Sequence, residues 1–315
     1  MALFIISLML LTALAGAAKN VIFILTDDQD IQLGGTSAMP VLNERMVKGG
    51  LSLNGYVDVP VCCPSRTSTL SARYSHNLNN TELGWCGNYH AVHENHTWIG
   101  VLKNAGYSTG MFGKYYNSYG EFCGNKIHVP SDLSYVHLMC DDNLYFGNSF
   151  NVNGTEKTVG KDVYLTNVIG NASISWLKSL PTGKPFFAYI APHAPHVPAT
   201  PAHEYENAPV PSPGGAPRTP NFDYTSRHHH WLVSEKEPLS PALLNFSDSL
   251  HDRRLRATMS VDDIVAAVFD FLQESNLLDE TYVIYSAWCK NKSRILCFDT
   301  QANQCTQPTH IFVDV

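Results

Sequence analysis

Short apolar runs recur along the chain at intervals that leave room for helices between them. The first is Val21–Leu25 within NVIFILTDDQD, which is too short for a helix and is followed directly by carboxylates. Comparable runs lie near residues 107–114, in PFFAYIAPHAPH, and in TYVIYS at residues 281–286. Continuous apolar runs of this length are typical of strands that are buried on both faces. The pattern therefore predicts four buried strands.

Helical patterns separate these runs. Residues 161–180 predict a helix that stops before Pro181, and residues 249–275 carry an apolar stripe at helical spacing. Shorter helices are expected at residues 40–48, 65–73 and 97–104, whereas the proline-rich residues 192–220 predict a loop. Strands that alternate with helices indicate an α/β layered domain with a largely parallel sheet.

Polar and charged residues follow three of the predicted strands. Asp27 and Asp28 come after the first, Lys114 after the second, and His193 and His196 after the third. Ligands in open α/β sheets bind outside the carboxyl ends of the strands, so we expect these residues to meet in one crevice. Adjacent carboxylates suit Ca²⁺ or Mg²⁺, and cations with histidines can stabilise an oxyanion and its leaving group.

The amino terminus and the sequons predict export. Residues 1–18 form an apolar run that ends in small residues and is typical of a signal peptide, with a short uncleaved anchor as the alternative. No later stretch reaches the ~20 apolar residues that a membrane span needs. Six Asn-x-Ser/Thr sequons agree with a glycosylated luminal or extracellular surface. They begin at Asn79, Asn95, Asn153, Asn171, Asn245 and Asn291.

Charge and cysteine content narrow the picture further. The net charge of -7 argues against general nucleic-acid binding, and an anionic substrate would need a local patch of positive charge. The eight cysteines should mostly pair in an oxidising compartment. Cys62 and Cys63 are adjacent and therefore poorly placed to bridge each other. If Cys62 is used in other chemistry, seven cysteines remain, and we expect Cys63 to stay a thiol.

The stretch CCPSRTSTLSAR resembles the Cys-x-Pro-Ser-Arg motif of the sulfatase family, in which the first cysteine is converted to formylglycine during secretion. Cys62 occupies that position and Cys63 the variable one. The segments LTDDQD, GKYYNSYG, APHAPHVP, HHHWL and MSVDDIVAAVFDFLQESNLLDETYVIYS are similar to those of the same family. The resemblance runs from Asn20 to Ser286 and favours the lysosomal N-acetylglucosamine-6-sulfatases and the extracellular heparan sulfate 6-O-endosulfatases.

This resemblance implies an alkaline-phosphatase-like fold and a covalent mechanism. One hydroxyl of hydrated formylglycine attacks sulfur while the alcohol leaves, and the other helps to expel sulfate. The implied ligands of one Ca²⁺ ion are Asp27, Asp28 and the formylglycine made from Cys62. The implied catalytic residues are Cys62, Arg66, Lys114 and His196, with His193 as the alternative to His196.

The resemblance also implies partners and a location. The expected substrate is a sulfated glycan of the heparan or keratan sulfate type, with 6-O-sulfated glucosamine as the favoured class. The formylglycine-generating enzyme is the expected partner of the unmodified chain. The expected destination is the lysosome or the extracellular space, with no nucleic-acid partner.

The sequence departs from the family pattern after residue 286. Family members continue with an Asp-Asn/His pair and later a lysine, whereas this chain reads AWCKNKSRILCFDTQANQCTQPTHIFVDV. We therefore expect an incomplete catalytic domain over residues 19–286 and an unmatched tail over residues 287–315, with the smaller carboxyl-terminal subdomain missing. A chain cut short in this way is expected to be poorly secreted and of low stability.

Two alternatives remain open beside the hydrolase. In the first, the chain is an inactive homologue that at most binds sulfated glycan. In the second, it is a phosphatase or phosphodiesterase of the alkaline-phosphatase superfamily, although members of that superfamily use serine or threonine where Cys62 stands. The triplet at residues 228–230 is either a metal site or, as we favour, a solvated loop. Asp262 and Asp263 are expected to be structural, near a helix start.

Overall fold

The computed structural model describes residues 18–31, 33–55, 59, 61–79, 86, 89–123, 127–141, 144–211, 215–220, 222–224, 228, 230–234, 237–287 and 309–314. The predicted signal peptide, apart from residue 18, lies outside these described residues. The same holds for most of the predicted tail, including Asn291.

A single mixed sheet forms the centre of the described structure. Its strands are β1 Asn20–Thr26, β2 Leu51–Gly55, β3 Ser108–Gly113, β4 Tyr135–Met139, β5 Ser149–Val152, β6 Thr155–Thr158, β7 Phe186–Ala191, β8 Thr281–Ala287 and β9 Thr309–Asp314. They lie in the order β2-β9-β8-β1-β7-β3-β4-β5-β6. Strands β8, β1, β7, β3 and β4 are parallel neighbours, and both edges are antiparallel.

The four strands predicted from apolar runs are all present, and they are the four adjacent central strands β8, β1, β7 and β3. Side chains of a strand alternate between the two faces, and here both faces are covered. Ile22 and Ile24 of β1 lie in one buried cluster, whereas Phe187 and Tyr189 of β7 lie in another. Burial on both sides is why these strands are continuously apolar.

Helices cover the two faces. They are α1 Pro40–Leu42, which continues as a π-helix over Asn43–Lys48, α2 Cys62–Ser71, α3 Ser75–Leu78, α4 Trp98–Asn104, α5 Leu165–Lys178, α6 Trp231–Ser234 and α7 Pro241–Glu274. A further π-helical turn spans Tyr89–His93, and 3₁₀ turns span Tyr119–Phe122, His203–Tyr205 and Leu278–Glu280. The α/β layered domain with a mainly parallel sheet is therefore confirmed.

Helix α7 differs from its prediction at the amino-terminal end. It begins at Pro241, with the Ser240 hydroxyl accepting a hydrogen bond from the Leu243 N–H at 3.3 Å. Asp262 is therefore far from the helix start, so the expected dipole interaction is wrong. Its carboxylate instead accepts hydrogen bonds from the backbone N–H groups of Val41 and Leu42, at 2.9 and 2.8 Å, and so caps α1.

The expectation that Cys63 remains a thiol is wrong. Cys63 forms a disulfide with Cys86, and Cys123 pairs with Cys140. Among the described cysteines it is Cys62 that keeps its thiol. Successive helix residues point about 100° apart, so Cys63 packs into the core beside Cys86 while Cys62 is directed elsewhere.

Candidate active site

Three neighbouring parallel strands end at one edge of the sheet and bring the predicted residues together. Strands β1, β7 and β3 are consecutive in the sheet, so the residues that follow them share one crevice. Gly113 closes β3 with a φ of +91°, and a Cβ there would lie 2.2 Å from the Ala191 carbonyl oxygen. The Lys114 N–H donates to that same carbonyl at 2.8 Å. A glycine at this position therefore lets the chain turn so that Lys114 enters the crevice.

The carboxylate of Asp27 is the centre of the crevice. Lys114 Nζ lies 2.8 Å from Oδ2, Arg66 Nη2 lies 3.1 Å from Oδ1, and His193 Nδ1 lies 3.3 Å from Oδ2. Asp27, Arg66 and His193 are completely buried, and Lys114 is 1% exposed. Arg66 also donates to the Lys114 carbonyl oxygen at 3.0 Å, which fixes the guanidinium against the end of β3.

Cys62 lies at the first position of α2 and faces the same carboxylate. Its Sγ is 3.8 Å from Asp27 Oδ1, and the residue is 1% exposed. Val61, directly before the helix, has extended backbone angles. The amino terminus of a helix carries a partial positive charge, and α2 therefore adds to the cationic environment of the thiol.

The electrostatic balance at Asp27 favours the ionised carboxylate. Burial alone raises the pKa of Asp27, but the charges of Lys114 and Arg66 and the hydrogen bond with His193 outweigh it and hold that pKa well below its usual value. The side chains of Lys114 and Arg66 thus both face the buried carboxylate of Asp27.

The two histidines occupy different positions. His193 is completely buried against Asp27, and its ring centre lies 4.6 Å from that of His196. His196 is 18% exposed, and its Nε2 lies 3.6 Å from Asp28 Oδ2. His196 is therefore the histidine that a bound molecule can reach.

Neutral His196 leaves two acceptors facing each other. Burial, only partly opposed by the charge of Asp27, lowers the pKa of His196 to about 3. Its Nδ1 lies 2.6 Å from the Val197 carbonyl oxygen, which can only accept, so Nδ1 carries the proton and Nε2 turns its lone pair toward Asp28. The facing lone pairs favour a cation between them. Ligand atoms of Asp27, Cys62 and His196 also lie within 4.8 Å of one another.

Two residues that sequence patterns did not reveal hold the crevice in place. The Tyr145 hydroxyl donates to the His196 carbonyl oxygen at 2.5 Å, and its ring lies 5.1 Å from that of His193. Arg254 of α7 donates to the carbonyl oxygens of Asp28 and Pro195. An arginine within a helix carries no local sign of such contacts, because its partners follow β1 and β7.

The remaining predicted residues lie away from the crevice. The five described sequon asparagines are all exposed, at positions 79, 95, 153, 171 and 245. His228 and His230 are exposed as well, and the histidine between them lies outside the described residues. Within the described ranges, no helix combines the length and the apolar character needed to cross a bilayer.

Comparison with protein families gives one match that covers most of the chain. The model of the family described as Sulfatase matches residues 19–287.

Curated relatives match over a similar extent. The human N-acetylglucosamine-6-sulfatase is 34% identical over 280 residues, which cover 85% of this chain and 50% of the relative. The Capra hircus N-acetylglucosamine-6-sulfatase is 33% identical over 290 residues, which cover 87% and 52%. An extracellular sulfatase SULF-1 homolog of Drosophila melanogaster is 32% identical over 283 residues, which cover 85% and 24%. The chain thus spans about half the length of the N-acetylglucosamine-6-sulfatases it matches.

Solved structures share the architecture. One, determined in complex with its substrate D-glucosamine-2-N,6-O-disulfate, aligns with a TM-score of 0.69 at 18% identity, over 94% of this chain and 71% of that chain. A 2-O glycosaminoglycan sulfatase aligns with a TM-score of 0.58 at 19% identity, over 94% and 64%. These likenesses confirm the alkaline-phosphatase-like fold.

Proposed function

The chain belongs to the sulfatase family, and from that premise we propose that it is a sulfuric ester hydrolase of sulfated glycans that acts through Cys62 after conversion to formylglycine. One observation carries the proposal: the Cys62 thiol lies 3.8 Å from a buried carboxylate that Lys114 and Arg66 also contact. A nucleophile beside concentrated positive charge is what attack on a sulfate ester requires.

The cations provide the electrostatic contribution. Lys114 and Arg66 are held by Asp27 and by backbone contacts, so they need no reorganisation when a sulfate group enters. A preorganised donor of this kind can be worth ~3 kcal/mol of barrier lowering. His196, the partly exposed histidine, is the group proposed to contact the sulfate ester, while the buried His193 contacts Asp27.

The donor set fits a hard divalent cation. The pKa of Asp27 is held well below its usual value, so its carboxylate is ionised, and His196 Nε2 lies 3.6 Å from Asp28 Oδ2. Asp27, Asp28 and an oxygen derived from Cys62 are the groups proposed to hold Ca²⁺, which when bound would offset charge on the sulfuryl oxygens. Water and substrate oxygens can complete the six to eight ligands that Ca²⁺ takes.

The substrate class is proposed as 6-O-sulfated glucosamine within a heparan or keratan sulfate type glycan. The N-acetylglucosamine-6-sulfatases at 33–34% identity support it, as does the fold shared with a protein solved with D-glucosamine-2-N,6-O-disulfate. The same proposal includes passage through the secretory pathway to the lysosome or cell exterior and modification by a formylglycine-generating enzyme. It also includes a signal peptide over residues 1–18, an incomplete catalytic domain over residues 19–286 and an unmatched tail over residues 287–315.

A second candidate function is an inactive homologue that binds sulfated glycan. Strand β8 ends at Ala287, which pairs with Thr26 in the β1–β8 register, and the next two positions of the sequence are those at which the family pattern has its Asp-Asn/His pair. This chain has Trp288 and Cys289 at those positions. Two expected oxygen ligands are therefore replaced. No comparable observation favours the phosphatase alternative.

Peptide mass spectrometry over residues 51–73, after expression in a secretory host, tests the modification. Turnover of an aryl sulfate with and without Ca²⁺ then tests the chemistry. The hydrolase predicts a formylglycine mass at position 62, turnover that rises with Ca²⁺, and loss of turnover in Cys62→Ala. Formylglycine without turnover would favour the glycan-binding homologue, whereas an unmodified thiol that cannot be converted by co-expressed generating enzyme would overturn the proposed mechanism.

A further inference from the structure

A second cluster of ligating side chains lies outside the crevice. Glu94 Oε2 is 2.8 Å from His90 Nδ1 and 2.6 Å from His128 Nε2. The two imidazole rings meet edge to face with their centres 4.5 Å apart. These three ligand atoms all lie within 4.8 Å of one another. The cluster uses no residue of the sulfatase motifs.

The backbone around these side chains is well supported. His90 lies in the π-helical turn Tyr89–His93, and Glu94 directly follows it, with its N–H donating to the Tyr89 carbonyl oxygen at 3.0 Å. His128 comes from an irregular segment, but its carbonyl oxygen accepts hydrogen bonds from the Tyr119 hydroxyl at 2.6 Å and the Asn151 amide at 2.8 Å. All three ligating residues are therefore presented by backbone that other contacts fix.

The burial of Glu94 also favours a bound cation. Glu94 is 3% exposed, and its Oε1 has no hydrogen-bond partner among the described residues. Among the described residues, no lysine or arginine forms an ion pair with this carboxylate, and its two ion pairs are with His90 and His128. A buried carboxylate with an unused oxygen and imidazole neighbours is costly unless a positive charge joins it.

We propose that His90, Glu94 and His128 bind a divalent transition metal ion, with Zn²⁺ as the preferred class. Two imidazole nitrogens and a carboxylate form a frequent zinc donor set, and the unused Glu94 oxygen provides a further ligand. Tetrahedral ligand atoms at roughly 2.1 Å from zinc lie about 3.4 Å apart. The observed spacings of 2.6 and 2.8 Å need to widen by less than about 1 Å. A metal binds only to unprotonated ring nitrogens, so binding at His90 Nδ1 and His128 Nε2 releases any proton held there to solvent.

The bound ion has a structural consequence near the active site. It joins the segment of His90 and Glu94 to the segment of His128, which are far apart in the sequence. The His90 N–H donates to the Cys86 carbonyl oxygen at 3.2 Å, and Cys86 is disulfide-bonded to Cys63, the neighbour of Cys62. The metal therefore helps to fix Cys86, and through the disulfide it helps to fix Cys63 at the start of α2.

Zinc binding to the full chain tests this proposal independently of sulfatase activity. The protein, carrying Cys62→Ser so that the crevice offers no thiolate, is dialysed against Zn²⁺ and its metal content measured by mass spectrometry. Zinc affinity is then measured by competition with a chromogenic chelator. The variants are His90→Gln and His128→Gln, which come from different segments. The control is His203→Gln, which removes an exposed histidine that pairs with Glu206 at 2.8 Å and belongs to no three-residue ligand cluster among the described residues.

We expect the control to bind one zinc equivalent more than either ligand variant, and each ligand variant to lose more than about tenfold in affinity, since even outer partners of metal ligands are worth 10- to 100-fold. Zinc should also raise the unfolding temperature of the control but not of the ligand variants. Equal zinc content in all four proteins, or equal thermal shifts, would overturn the proposal and leave a hydrogen-bonded trio. If one ligand variant fails to fold, the other decides the result.

Discussion

Asp27 and Glu94 are two buried carboxylates that the protein compensates in different ways. Asp27 is fully buried and is matched by Arg66, which stays protonated at physiological pH, and by the amino group of Lys114 at 2.8 Å. Glu94 is 3% exposed and is matched by two partly exposed histidines, whose charge is optional. The first arrangement fixes an electrostatic field, and the second leaves a place for an exchangeable cation. Four predictions test that difference.

The largest expected effect comes from Asp27→Asn. The substitution leaves two buried cations without their anion, and breaking a buried pair in this way costs about 3–5 kcal/mol. Urea unfolding followed by circular dichroism measures the change. The matched control is Glu280→Gln, which breaks the exposed pair with Lys19 at 3.1 Å and should cost less than about 1 kcal/mol. Equal midpoints for the two variants would contradict the role given to Asp27.

The next largest effect is expected for the disulfide between Cys63 and Cys86, which connects the start of α2 to the segment that bears His90 and Glu94. The double variant Cys63→Ser/Cys86→Ser opens a bridge of sequence separation 23, which should lower the free energy of unfolding by about 3 kcal/mol. The control Cys123→Ser/Cys140→Ser opens a bridge of separation 17 and should cost a similar amount. Aryl sulfate turnover should fall further in the first variant, because Cys63 adjoins Cys62. The same loss of turnover in both variants would argue against a specific link.

A smaller effect depends on pH. The pKa of His196 is lowered to about 3, from 6.5 in the unfolded chain, mainly by burial. Between these values the unfolded chain binds a proton that the folded chain does not, so stability decreases as pH falls below 6.5. Between pH 7.5 and pH 5 the wild-type protein should lose up to about 2 kcal/mol more than His196→Gln. Parallel pH profiles for the two proteins would show that the pKa of His196 in the folded chain is not lowered.

The smallest effect is expected for Glu94→Gln. The amide keeps the shape of the side chain and can still hydrogen-bond to the two histidines. The loss in metal-free protein should therefore be about 1 kcal/mol, the typical worth of a hydrogen bond. Chemical unfolding in the presence of a chelator measures it. A loss as large as that of Asp27→Asn would contradict the different compensation of the two carboxylates.

Local patterns predicted the central strands because burial on both faces leaves a continuous apolar run, as in Phe186–Ala191. They missed Ser149–Val152 and the edge strand Thr155–Thr158, whose antiparallel pairing depends on neighbours rather than on composition. The long helix was predicted only where its stripe is buried, because its first two turns are largely exposed.

The sequence by itself determined the family, the central parallel strands and the polar residues that follow them. A parallel sheet places all its carboxyl ends at one edge, so Asp27, Lys114 and His196 had to be near one another. Only the tertiary structure decided that Cys63 pairs with Cys86, that Arg254 holds the loop of Asp28, and that His128 meets His90 and Glu94. These contacts join segments whose distance in space depends on packing, and no local periodicity encodes that distance.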